Sequence, residues 1–161
     1  MACLEYIINI HGGGRLTIKP GEKNYADYLY WLHNANGSLQ PSFGRAMSMQ
    51  FAGIDEDNNH LVRTYNRIDQ ELQFMNQRLK DNTWLAGDQF TAADVMTVWS
   101  LAGMREFFQL DISQYGHILA YLQRVKGREG YRKAMAKGDP DVNIDEFLQG
   151  PPPPKFKALR R

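Results

Sequence analysis

Gly87-Asp88-Gln89-Phe90-Thr91-Ala92-Ala93-Asp94 writes a complete helix start into eight residues. Thr91 stands at the N-cap position, where its hydroxyl can accept the backbone N–H of Asp94, and Asp94 three residues on can return its carboxylate to the N–H of Thr91. That reciprocal pair is a capping box. Phe90 just before the cap and Val95 at the fourth helical position are spaced for a hydrophobic staple, and Asp94 lies where the helix dipole favours negative charge. The predicted helix continues through Val98, Leu101 and Ala102.

Working outward, the patterning is helical in both directions. Toward the C-terminus, Ile118, Tyr121, Leu122 and Val125 share one helical face, Gly127 to Gly130 breaks the run, and a short helix follows from Tyr131 to Ala136. Toward the N-terminus, Leu61, Tyr65, Ile68, Leu72, Met75 and Leu79 step by threes and fours along one long amphipathic helix. Phe43, Met47, Met49 and Phe51 predict a less regular helix over 41–53, and Tyr25 to Leu32 a further one opened near Asn24 and interrupted or bent at Asn36-Gly37. Leu4, Ile7 and Ile8 lie at helical spacing before Gly12-Gly13-Gly14, a stop of the kind helix C-termini favour. That first helix has no cap of its own, which predicts an element begun further upstream. No stretch alternates with period two, so the fold class is all-α.

A chain of 161 residues, 43% hydrophobic and 23% charged, is long and apolar enough for one domain with a substantial core. A net charge of +1 excludes a global field that would attract nucleic acid or an anionic membrane. The single cysteine, Cys3, cannot form an internal disulfide. With no secretory leader or long apolar run, the chain reads as cytoplasmic and soluble. After Gly138 the composition changes to Asp139-Pro140-Asp141, then to prolines 151–154, then to Lys155, Phe156, Lys157, Arg160 and Arg161. The core is expected to end before this segment, which reads as an extended strap or mobile end.

Catalytic signatures are sparse. His11, His33, His60 and His117 are dispersed without metal-ligand spacing. Asp139, Asp141, Asn143 and Asp145 imitate the start of a calcium loop, but Ile144 fills the glycine position and Gly150 the position that needs a bidentate glutamate. Gly12-Gly13-Gly14 lacks the Lys-Ser/Thr and the preceding strand of a phosphate cradle. Cys3 has no basic neighbour to activate its thiol. No catalytic residue and no metal site is assigned.

Four stretches, in order, resemble the C-terminal helical domain of the glutathione S-transferase superfamily, of fungal and bacterial type. They are Ala2 to Ile7 with the three glycines, Tyr28-Leu29-Tyr30-Trp31-Leu32 to Pro41, Trp84-Leu85-Ala86-Gly87-Asp88 to Asp94, and Tyr121-Leu122-Gln123-Arg124-Val125 to Ala134. The resemblance implies three parts: residues 1–14 as the remnant of the last helix of a thioredoxin-like domain with its linker, 15–138 as the helical domain, and 139–161 as an extended Pro-rich tail. In the family, glutathione is held by the thioredoxin-like domain, whose thiol-activating residue has no counterpart in this sequence. The resemblance therefore implies a truncated form: a C-terminal domain whose full-length protein uses glutathione as co-substrate for detoxification of small hydrophobic electrophiles, while this chain alone is inactive. The electrophile's contacts are expected at Trp31, Asn34, Ser38, Met47, Trp99 and Arg105, with Thr91 and Asp94 as the structural cap. A homodimer is expected, favoured by an apolar patch near Leu4, Ile8 and the capped helix. The alternative is a non-catalytic helical module for dimerisation or scaffolding.

Overall fold

The structure, a computed structural model, describes residues 1–155; the expectations for Phe156, Lys157, Arg160 and Arg161 fall outside them. The chain folds as helices α1 (Ala2–Tyr6), α2 (Tyr25–Asn34), α3 (Gln40–Phe51), α4 (Asn59–Asp81), α5 (Ala92–Leu101), α6 (Gly116–Lys126), α7 (Glu129–Gly138) and α8 (Ile144–Phe147). Wider helical turns continue α1 through Ile7–His11 and join α2 to α3 through Ala35–Leu39. The second of these is where Asn36-Gly37 was expected to bend the chain. The helical path is not ended there, because the backbone stays in the right-handed region at both joints. No strand forms among the described residues.

Apolar periodicity sets the packing. Leu61, Ile68, Leu72, Met75 and Leu79 are all buried along one face of α4, with Tyr65 half-buried among them. This face lies between α3 and α6, while α5 packs on α2 and α6 on α7. Ile118, Tyr121, Leu122 and Val125 complete the core from α6. The start of α6 has no cap of its own. Instead Asn76 of α4 accepts the backbone N–H groups of His117 and Ile118, at 2.9 and 3.1 Å.

The turn before α5 is closed by Trp84 and Gly87, whose N–H groups donate to each other's carbonyls at 2.8 and 2.9 Å. Gly87 has φ +116°, and a Cβ there would sit 2.3 Å from the Asn24 side-chain nitrogen, so only glycine fits. The capping box forms. Asp94 Oδ2 accepts the Thr91 N–H at 2.8 Å, and Thr91 Oγ1 takes the reciprocal position over Asp94. Asp94 does more than cap: its Oδ1 also accepts the Leu85 N–H at 3.0 Å and the Tyr121 hydroxyl at 3.2 Å. It thereby fastens the turn and α6 to the start of α5. Phe90 packs edge-to-face on Trp84, with ring centroids 4.9 Å apart, and Val95 is largely exposed.

Two expectations about the ends need correction. The core does not stop at Gly138: Phe147 and Leu148 are buried within it, and Lys126 of α6 pairs with Asp145 of α8. The segment after α8 is laid against the body. Ile112 N–H donates to Gly150 O at 2.9 Å, and a Cβ on Gly150 would meet Ser113 Cα at 2.6 Å. At the other end, Ile8 is buried and Leu4 half-buried, so the outward apolar residues of the first helix are Tyr6, Ile7 and Ile10. The helical phase puts Ile8 inward and turns its neighbours out.

Candidate functional site

A groove of about 900 Å³ runs between α5 and α7. Its floor is hydrocarbon: Val98 from α5 and Ala102 just after it, Val125 from α6, Met135 from α7 and Phe147 from α8. Trp99, 53% exposed, forms one wall against Gly103, whose missing side chain leaves room for the indole. The α5 residues recur at helical spacing, so the face that shows as a Val95–Trp99 stripe is the one left without a helix partner.

Charge is distributed unevenly along this groove. Arg128, just before α7, stacks over the Phe90 ring at 3.7 Å, and Phe90 lies just before α5, so both helices start at the same end. Arg15 joins that end because Leu16 O accepts the N–H of Ala92, the first residue of α5. Glu106 and Asp139 border the groove beyond the ends of α5 and α7. Each ten-residue helix spans about 15 Å, which separates the basic end from the acidic one. No ion pair reaches Arg15 or Arg128 among the described residues. The Tyr131 hydroxyl, also on the groove, is buried without a hydrogen-bond partner. Burial, reinforced by the Asp139 charge, pushes it up to about 12, so it stays protonated as a donor.

The residues expected to contact a substrate do not converge. Trp31 is buried in the core, stacked on Phe74 at 5.5 Å and edge-on to Tyr30. Asn34 and Ser38 line a separate shallow depression with Tyr30, His33 and Gly37. Met47 is half-buried against the core from α3. Of the six, Trp99 alone borders the groove.

Arg105 requires a correction. It is fully buried, and its guanidinium has five N–H donors. They go to the carbonyls of Leu110 (2.9 Å), Leu101 (3.2 Å), Gln149 (2.9 Å), Gly150 (2.7 Å) and Pro151, which leaves none for a substrate. Burial lowers its pKa to about 10, so it remains cationic at neutral pH. Arg105 is thus the clamp of the C-terminal strap. Sequence reasoning missed Arg128 and Tyr131 as groove residues because their pairing with α5 spans some forty positions and leaves no local pattern.

No group of three or more His, Cys, Asp or Glu residues that could hold a metal ion occurs among the described residues, and Cys3 is an exposed free thiol. No helix among them is long and apolar enough to cross a membrane.

Comparison with known proteins agrees with this helical architecture. The glutathione S-transferase C-terminal domain family matches residues 48–129, half of the chain. The chain belongs to that family. Glutathione S-transferase 3 of Schizosaccharomyces pombe is 24% identical over 178 residues, covering 95% of this chain and 70% of the relative. A glutathione S-transferase from Actinobacillus pleuropneumoniae superposes with a TM-score of 0.75 at 20% identity, over 91% of this chain and 66% of its own. A glutathione transferase from Phanerochaete chrysosporium, solved in complex with oxidized glutathione, gives 0.70 at 20% identity, over 84% of this chain and 64% of its own. At these identities the structural likeness establishes the fold. The chain spans about two thirds of the length of these solved structures.

Proposed function

We propose that this chain is the apolar-substrate half of a glutathione transferase: it offers a site for a small hydrophobic electrophile and does not conjugate glutathione by itself. The observation that carries this reading is the hydrocarbon-lined groove along α5 in a chain of this family. Glutathione is a charged tripeptide that needs backbone and carboxylate partners. The middle of the groove, walled by Val98, Trp99, Met135 and Phe147, suits an apolar molecule instead. Conjugation also needs a thiol held as thiolate, and that requirement falls to a separate thiol-binding domain. Full-length detoxification and a cytoplasmic location belong to the same proposal. A conjugation assay of the chain with glutathione and an aryl halide is expected to give the uncatalysed rate. Saturable turnover that depends on this chain alone would overturn the reading.

A second reading, a helical module that self-associates, is favoured by one feature. Tyr30 and Phe74 are half-exposed and stand together on the α2–α4 surface above the buried Trp31, with Tyr30 and Phe74 centroids 5.9 Å apart. Exposed aromatic clusters of this kind are enriched at protein interfaces. A homodimer through this surface is compatible with either reading.

A further inference from the structure

We propose that a second pocket, where α3 ends and α4 begins, is the docking site for the chain's own residues 156–161, with Phe156 and Leu159 as apolar anchors and Lys157, Arg160 and Arg161 set against the loop Asp55-Glu56-Asp57. The occupant lies outside the described residues; the pocket, its charge and the chain leading to it lie within them. This pocket shares only Phe107 with the α5–α7 groove, so its occupancy is independent of the transferase reading.

The pocket holds about 690 Å³ and is walled by Phe51 at the end of α3, Ile54 just after it, Leu61 and Tyr65 on α4, and Phe107. Phe51 is 61% exposed and Ile54 39%, so hydrocarbon stands at its mouth where an apolar side chain would be rewarded by burial. The strap delivers the chain to this place. Pro153 is buried, and Gln109, itself a lining residue, donates its side-chain N–H to Pro153 O at 3.1 Å. Two residues further on, Lys155 lines the pocket, so residue 156 starts at its rim. Six residues reach at most about 20 Å, which confines the segment to the surface around this pocket. The stiff prolines before it resist folding back, and the tether keeps its effective concentration at the pocket high. Charge favours the same pairing. Asp55, Glu56 and Asp57 are exposed, Glu56 lines the pocket, and none of the three forms an ion pair among the described residues. Lys157, Arg160 and Arg161 bring the complementary sign beside the two apolar residues. Because Phe107 stands between the pocket and the groove, a seated Phe156 also braces that wall of the groove.

The test is solution NMR of the isotope-labelled full chain. Phe156→Ser combined with Leu159→Ser is expected to shift the amide resonances of Phe51, Ile54, Glu56 and Tyr65, while those of α2 and α6 stay in place and report an intact fold. Phe51→Ser combined with Ile54→Ser should in return move the resonances of residues 156–159. Neutralising the loop with Asp55→Asn, Glu56→Gln and Asp57→Asn, or raising the salt concentration, should carry the wild-type pocket resonances part of the way toward the positions seen in the Phe156→Ser/Leu159→Ser variant, since exposed charge pairs are screened. The resonances should not depend on protein concentration, because a tethered segment docks within its own molecule. Shifts confined to residues 154–161 in the first variant would overturn the proposal. A pocket pattern that fades on dilution would overturn it in favour of a segment supplied by a second copy, and indifference to both salt and loop neutralisation would overturn the charge pairing.

Discussion

Asp94 holds its place with two oxygens and four donors: the N–H groups of Thr91 and Leu85 and the hydroxyls of Thr91 and Tyr121. A cap alone is worth about 1 to 2 kcal/mol. Because Asp94→Ala would also strand buried donors from a second helix and a turn, a loss of about 3 kcal/mol is expected in denaturant unfolding. A loss no larger than an ordinary cap would mean that the Leu85 and Tyr121 bonds contribute little. Burial pushes the Asp94 carboxyl above its ordinary range, against the opposing pull of its hydrogen bonds. The folded state therefore keeps that proton to higher pH than the unfolded chain, and this contribution to stability is lost as pH rises from about 4 through the folded value. Asp94→Asn cannot titrate, so the stability of wild type relative to that variant should decline across the same window; thermal midpoints at a series of pH values check the sign. At Arg105 the expectation is larger still. Arg105→Ala leaves five carbonyls without their donor and should cost about 3 kcal/mol or more, and Arg105→Lys, with three donors on one nitrogen, should recover only part of it in the same unfolding measurement.

Elements that declare themselves by period or by a local cap were legible in the sequence. The long stripe of α4 and the Thr91–Asp94 start of α5 are both of this kind, since their stabilising contacts lie within a turn or along one face. The C-terminal strap was not. Its composition is that of an extended tail, yet Arg105 and Gln109 reach its carbonyls across more than forty residues, and Leu148 fills a place in the core. Removing residues 139–161 should accordingly lower the thermal midpoint by several degrees and open the core where Phe147 and Leu148 sit, rather than leave the helical body untouched. Calorimetry of that shortened chain decides the matter. An unchanged midpoint would return the strap to the status of an appendage.

For the molecule as a whole, the exposed apolar residues fall into separate surfaces with different expected roles. The exposed Tyr30–Phe74 pair should mediate self-association, so static light scattering at micromolar concentration is expected to report a dimer, and Tyr30→Ser combined with Phe74→Ser to shift it toward monomer. A monomer in both cases would remove the interface reading. The groove between α5 and α7 is a different surface, to be occupied by ligand rather than by a second copy. The candidate site was only partly legible. Trp99 and Trp31 were both expected at the site from the family resemblance, yet only Trp99 borders the groove and Trp31 is core.

The sequence by itself determined the all-helical class, the order of the main helices and the cap at Thr91–Asp94. These depend on contacts between near neighbours in the chain, where spacing alone fixes which groups can meet. Tertiary structure decided which tryptophan is core and which borders the groove, that Arg105 serves the strap, and that Arg15, Arg128 and Tyr131 share one surface. Those assignments depend on how helices distant in sequence are rotated and paired, which follows from packing the whole core at once and from no single segment of it.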